Sequence, residues 1–74
     1  MSERIIMRDD AGRWVVLLSE SGTFVSSHER RQDALARATT GLRQIGGGLW
    51  IMKDASGREL DRGEVLGTAE VSGP

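Results

Sequence analysis

A chain of 74 residues is long enough for one small domain and too short for two. The absence of cysteine excludes disulfide bonds and thiolate metal sites. Ten basic and eleven acidic residues give a net charge of −1, which argues against a protein that coats DNA by neutralising phosphates and equally against a strongly acidic DNA mimic.

The N-terminal third of the chain has the pattern of short strands joined by tight turns. Arg4–Arg8 is an apolar run that ends in a turn at Asp9–Gly12, and Arg13–Ser19 is rich in β-branched and aromatic residues. We expect these two runs to form a β-hairpin. A second turn at Ser19–Gly22 leads into a short third strand over Thr23–Ser27.

A single helix is predicted to follow. Ser26-x-x-Glu29 fits a capping box, which would satisfy the first free backbone amides of a helix. The glycines Gly46–Gly48 are expected to end it, since glycine readily takes the left-handed cap conformation. An apolar stripe on a 3.6-residue period is formed by Leu35, Ala38, Leu42 and Ile45.

The C-terminal third predicts one more strand and a short return strand. Leu49–Met52 is apolar, Asp54–Gly57 is a turn, and Arg58–Asp61 can pair back. We therefore predict an α+β domain over residues 1–62, in which one helix packs on one face of a small antiparallel sheet of three to five short strands. The expected order is β-β-(β)-α-β(-β). Residues 63–74 have few apolar anchors and are expected to form a flexible tail.

Four segments of the chain can be compared with family motifs: Gly12-Arg-Trp14-Val-Val16, Arg30-Arg-Gln-Asp33-Ala34, the run Gly46–Met52, and Ser56-Gly57-Arg58-Glu-Leu60. Together they resemble a widespread family of short bacterial proteins of unknown function with a ββαβ core. That family shows a Gly-Trp-x-Val strand, a Thr-x-x-Glu-Ala helix start and an apolar strand closing on Asp-Gly-Arg-Ile. This chain departs by one residue inserted before Trp14 and by Arg30 in place of the threonine. The resemblance spans roughly residues 4–62 and implies the fold without an activity.

Enzyme and cofactor chemistry have little support in the sequence. His28 is the only histidine, and no spacing gives it both an orienting group and a nucleophile. No metal or cofactor is expected, because carboxylates are scattered and thiolates are absent. The longest apolar run, Trp14–Leu18, is too short to cross a bilayer, and the first residues lack the core of a signal peptide, so a cytoplasmic location is expected. Nine of the ten basic residues are arginine, as in GC-rich coding sequences, which favours a bacterial or phage origin.

The strands carry more apolar residues than one helix can cover. Side chains alternate across a strand, yet Trp14–Leu18, Ile5–Met7 and Leu49–Met52 are apolar at both parities. The surplus face needs a cover, which could be a second copy, another protein, or the chain's own tail around Val65, Leu66 and Val71. Val15 and Leu17 are the first candidates for this partner-binding face, followed by Trp50 and Met52. The pattern alone does not assign the parity.

The sequence thus favours a small non-enzymatic protein that binds a protein partner. That partner could be a second copy of the chain or, if the chain is phage-encoded, a host macromolecule. The alternative is a nucleic-acid-binding module. In that interpretation Arg30, Arg37 and Arg43 line one flank of the helix and Trp50 stacks on a base. No membrane contact and no small-molecule substrate are expected.

Overall fold

Five strands and one helix make up residues 2–67, the part of the chain that the computed structural model describes. In chain order they are β1 (Ser2–Arg8), β2 (Trp14–Leu18), β3 (Phe24–His28), α1 (Arg31–Gln44), β4 (Gly47–Lys53) and β5 (Glu59–Leu66). The predicted α+β class, with one helix and up to five strands, is confirmed.

The strands form one sheet in the order β3-β2-β1-β4-β5. Consecutive strands pair antiparallel within β1–β2–β3 and within β4–β5, whereas β1 and β4 pair in parallel at the centre. The sheet is therefore mixed, whereas the sequence suggested an antiparallel sheet. A parallel pair requires a long crossover, and the segment from β2 through α1 supplies it.

Two hairpin loops of the same design lie at one end of the sheet. In the β1–β2 loop, the Asp9 carboxylate accepts hydrogen bonds from the backbone amides of Ala11 and Arg13. In the β4–β5 loop, the Asp54 carboxylate accepts from the amides of Ser56 and Arg58. Each loop then needs a backbone with positive φ, which glycine adopts at φ 82° and 91° at Gly12 and Gly57.

The helix begins later than the sequence suggested. Ser26 lies in β3, where its hydroxyl is 2.9 Å from Nε2 of His28, so the predicted capping box does not form. Arg30 occupies the N-cap position without a side-chain cap. The far end agrees with the prediction, because Ile45 caps the helix and Gly46 follows at φ 98°. No helix within residues 2–67 is long and apolar enough to cross a membrane.

The core lies between α1 and one face of the sheet. Ile6, Val16 and Met52 project from three adjacent strands onto Ala34 and Ala38 of the helix. The two alanines let the helix approach the sheet closely, and each fully buried large aliphatic side chain stabilises the fold by roughly 1.5–3 kcal/mol. Leu42 is also fully buried, whereas Ile45, the last residue of the predicted stripe, is 52% exposed.

The C-terminal boundary also differs from the sequence prediction. β5 continues to Leu66, so residues 63–66 belong to the sheet and the expected domain end at residue 62 falls inside a strand. Val65 is 9% exposed opposite Gly48 of β4 and adds to the buried apolar area. Val71, proposed as part of a covering tail, lies outside the described residues.

Candidate functional site

The face of the sheet opposite α1 is the candidate site. Because Ile6, Val16 and Met52 point to the helix, the residues beside them in each strand point the other way. Among residues 2–67, no element packs over this second side. We call it the open sheet face, and its apolar members are Ile5, Met7, Val15, Leu17, Phe24, Leu49, Ile51 and Leu66.

The strand register arranges these side chains in rows that run across the sheet. The central row is Phe24, Leu17, Ile5 and Ile51, on β3, β2, β1 and β4 in that order. Side chains directly opposite on neighbouring strands lie in contact distance, so the row is a continuous apolar band. On one side of the central row, Val15 lies beside Met7. On the other side, Leu49 lies near the start of β4.

Exposure on the open sheet face is higher at its β3 edge than in the middle. Val15 is 9% exposed, since Met7 and Ser27 flank it and Arg13 donates from Nε to the Ser27 hydroxyl at 2.7 Å. Ile5, Met7, Leu17, Leu49 and Ile51 are half-buried. Phe24 is 60% exposed on the outermost strand. A band of this width leaves water in contact with hydrocarbon on four adjacent strands.

Charged residues border the apolar band. Glu3 and Glu64 flank Leu49, and Lys53 is paired with Met7 and Glu59. Arg62 binds Glu59 through two hydrogen bonds, of 2.9 Å from Nε and 2.7 Å from Nη2. That hydrogen bonding lowers the pKa of the Glu59 carboxyl and raises the pKa of Arg62, so both stay ionised at neutral pH.

Val15 and Leu17 lie on the open sheet face, as expected, but the expected positions of Trp50 and Met52 are wrong. Met52 is 3% exposed in the core beneath α1, and Trp50 packs against the same cluster. The residues of β4 on the open sheet face are Leu49 and Ile51. The parity was not readable from the sequence because all four residues of this run are apolar.

The arginines of the nucleic-acid alternative do not line one flank. Arg30 precedes the helix in an extended conformation. Arg37 and Arg43 are both exposed, but six residues at 100° each place them about 120° apart around the helix. The Trp50 indole lies against Gly63, where a Cβ would come within 2.6 Å of its ring atoms. Arg37 and Arg43 therefore point to different sides of the helix, and the Trp50 indole is packed against β5.

Other parts of the described structure are weaker candidates for a functional site. His28 is half-buried and bonded to Ser26. No group of three potential metal ligands occurs among residues 2–67. An open depression of about 400 Å³ lies where β4 begins and β5 ends, lined by Ser2, Glu64 and residues 45–48 and 65–67.

Comparison with known proteins adds no relative. No family model, no curated protein and no solved structure matches the chain. Membership of the ββαβ family suggested by the sequence motifs therefore stays a prediction.

Proposed function

We propose that this chain is a non-enzymatic interaction protein whose open sheet face binds a protein partner. The main supporting observation concerns residues 2–67. In this part of the chain a single helix covers one side of a five-stranded sheet, while the other side presents an apolar band across four strands. Exposed apolar patches of this kind usually mark interaction sites in small proteins, and antiparallel strands with a solvated face normally alternate apolar and polar residues.

The chemistry of this face suits recognition and not catalysis. Its central row offers only hydrocarbon and aromatic side chains, which bind a complementary apolar surface but supply no acid, base or nucleophile. The bordering charges, Glu3, Glu64 and Lys53, would add register and steering to such a contact. A docking surface with an apolar centre and a charged rim has the anatomy of a protein–protein interface.

Adjacent isoleucines provide a matched test of this assignment. Ile5 points to the open sheet face and Ile6 to the helix, so the same substitution probes each side. We expect Ile5→Thr to keep the circular dichroism spectrum and to lower the thermal midpoint much less than Ile6→Thr does. Ile6→Thr buries an unpaired hydroxyl and leaves a gap, and should lower the midpoint strongly.

Binding is tested with the tagged protein retained on a column and exposed to lysate with and without nuclease treatment. A protein held by the wild type and by Arg37→Gln, but lost with the pair Leu17→Thr and Ile51→Thr, would support the proposal. Unfolding of that double variant in isolation would contradict it, because the face would then be part of the chain's own core. Retention that disappears with nuclease would favour the nucleic-acid alternative instead.

A further inference from the structure

The two ends of the open sheet face carry opposite charge. At one end the strand positions beside Leu49 are Glu3 and Glu64. At the other end lie Arg13 and Lys53. Arg13 is two residues before Val15 and so lies on the same side of the sheet, and Lys53 pairs with Met7. The apolar central row separates the two ends.

Three acidic groups at the basic end already have partners within the chain. Glu59, opposite Lys53, is held by Arg62, so these three residues together carry one positive charge. The Asp9 and Asp54 carboxylates in the two loops accept backbone amides of their own turns. Besides Arg62, which is paired with Glu59, the cationic side chains of the open sheet face at this end are Arg13 and Lys53.

A face with this polarity is complementary to itself in one orientation. A symmetric dimer places one patch against an identical patch. A two-fold axis parallel to the strands would set the acidic ends together. An axis that crosses the strands along the central row sets Glu3 and Glu64 of each copy near Arg13 and Lys53 of the other. In that arrangement Phe24 and Ile5 each face their own symmetry mates.

The dimensions of the face are sufficient for such a dimer. Five strands spaced about 4.8 Å apart and five residues rising about 3.4 Å each cover roughly 20 Å by 17 Å. With side-chain relief, two copies would bury on the order of 1,000 Å² in total, the lower limit for a specific interface. We therefore expect a reversible dimer that dissociates on dilution.

From this charge pattern and area we propose that the partner on the open sheet face is a second copy of the chain, related by a two-fold axis that crosses the strands. The proposal rests on the proposed function and names its partner. The two sheets stack about 10 Å apart, as in a β-sandwich, with a helix on each outer side.

Charge reversal at the two ends tests the proposal directly. The pair Glu3→Lys and Glu64→Lys makes the face positive throughout, and the pair Arg13→Glu and Lys53→Glu makes it negative. By sedimentation or light scattering we expect the wild type at twice the 8.1 kDa chain mass at high concentration, and each double variant alone at the single mass. An equimolar mixture of the two variants should restore the doubled mass. A charge reversal on the helix, Arg43→Glu, should leave the wild-type mass unchanged.

A cross-link gives a second measurement that does not depend on these variants folding. The chain has no cysteine, so Phe24→Cys is a unique attachment site. Because Phe24 faces its own mate about one sheet spacing away, a bismaleimide with a spacer of about 10 Å should join two chains. Thr40→Cys on the exposed side of the helix is the control and should not cross-link.

Three results would overturn the proposal. They are a wild type that stays at 8.1 kDa up to high concentration, a mixture of reversed variants that stays at the single mass, and a Phe24→Cys cross-link no more efficient than the control. The binding function itself would survive any of them, since it fails only if the open-face variants unfold or retain every partner, or if retention disappears with nuclease.

Discussion

Replacement of Gly63 by alanine is expected to destabilise the protein, although alanine normally suits a strand better than glycine. Gly63 in β5 is the cross-strand partner of Trp50 in β4. A Cβ at this position would lie 2.6 Å from Cε2, Cζ2 and Nε1 of the indole. Ordinary van der Waals contacts begin near 3.4 Å, so the ring must shift by close to 1 Å.

The size of the effect follows from where the indole can go. Trp50 packs against the core cluster on one side and over Gly63 on the other, and displacement toward solvent costs part of its contact with the core. Overpacking of this kind typically costs about 1–3 kcal/mol. At about 4–8 °C per kcal/mol for a domain of this size, the thermal midpoint should fall by roughly 4–24 °C.

Thermal unfolding followed by circular dichroism measures this shift, with all variants at one protein concentration because self-association adds stability. Gly41→Ala is the matched control, because this helical glycine has no atom within 4 Å of a new Cβ. It should raise stability by about 0.5–1 kcal/mol. Opposite signs for the same substitution would show that the indole, and not the glycine itself, decides the outcome.

An unchanged or raised midpoint for Gly63→Ala would refute the reasoning. The indole would then not be held against β5, and Trp50 would be available to stack on a base as the nucleic-acid alternative requires. The double variant Gly63→Ala with Trp50→Leu removes the clash. Its cost should fall below the sum of the two single costs by more than about 0.5 kcal/mol, the usual limit of additivity.

Other consequences can be measured in the same way. Leu42→Ala should cost about 2–5 kcal/mol, because the side chain is fully buried and its removal leaves a cavity under the helix. Hydrogen bonds from the Ser56 hydroxyl and from the amides of Arg58 and Ser56 lower the pKa of Asp54 below its ordinary 3.8. A carboxyl with a depressed folded-state pKa stabilises the fold above its ordinary pKa and ceases to do so as pH falls through the folded value. The midpoint difference between wild type and Asp54→Asn should therefore be largest at neutral pH and shrink below about pH 4, and a difference independent of pH would contradict the assigned role of the carboxylate.

Local sequence patterns were sufficient for most individual elements. The alternation of apolar runs with Asp-x-x-Gly turns predicted both hairpins, because the aspartate and glycine of each loop act through bonds within five residues. The helix interior and its glycine stop are likewise local. Its start was wrong because Ser26 had two local options, and pairing of β3 with β2 placed it in a strand instead of a cap. The predicted β5 is too short because the pairing of Val65 with Gly48 of β4 is a long-range contact that the polar composition of residues 63–74 does not reveal.

What the sequence determined by itself is that the strands hold more apolar residues than one helix can cover, since both parities of three segments are apolar. Which residues make up the surplus was decided only by the tertiary structure. The helix joins β3 to β4, which lie on opposite sides of β2 and β1, and it covers the side that carries Ile6, Val16 and Met52. The parallel register between β1 and β4 then places Ile51 beside Ile5 and sends Trp50 and Met52 inward. In a strand whose residues are all apolar, the face is set by this long-range pairing, because no local preference distinguishes one parity from the other.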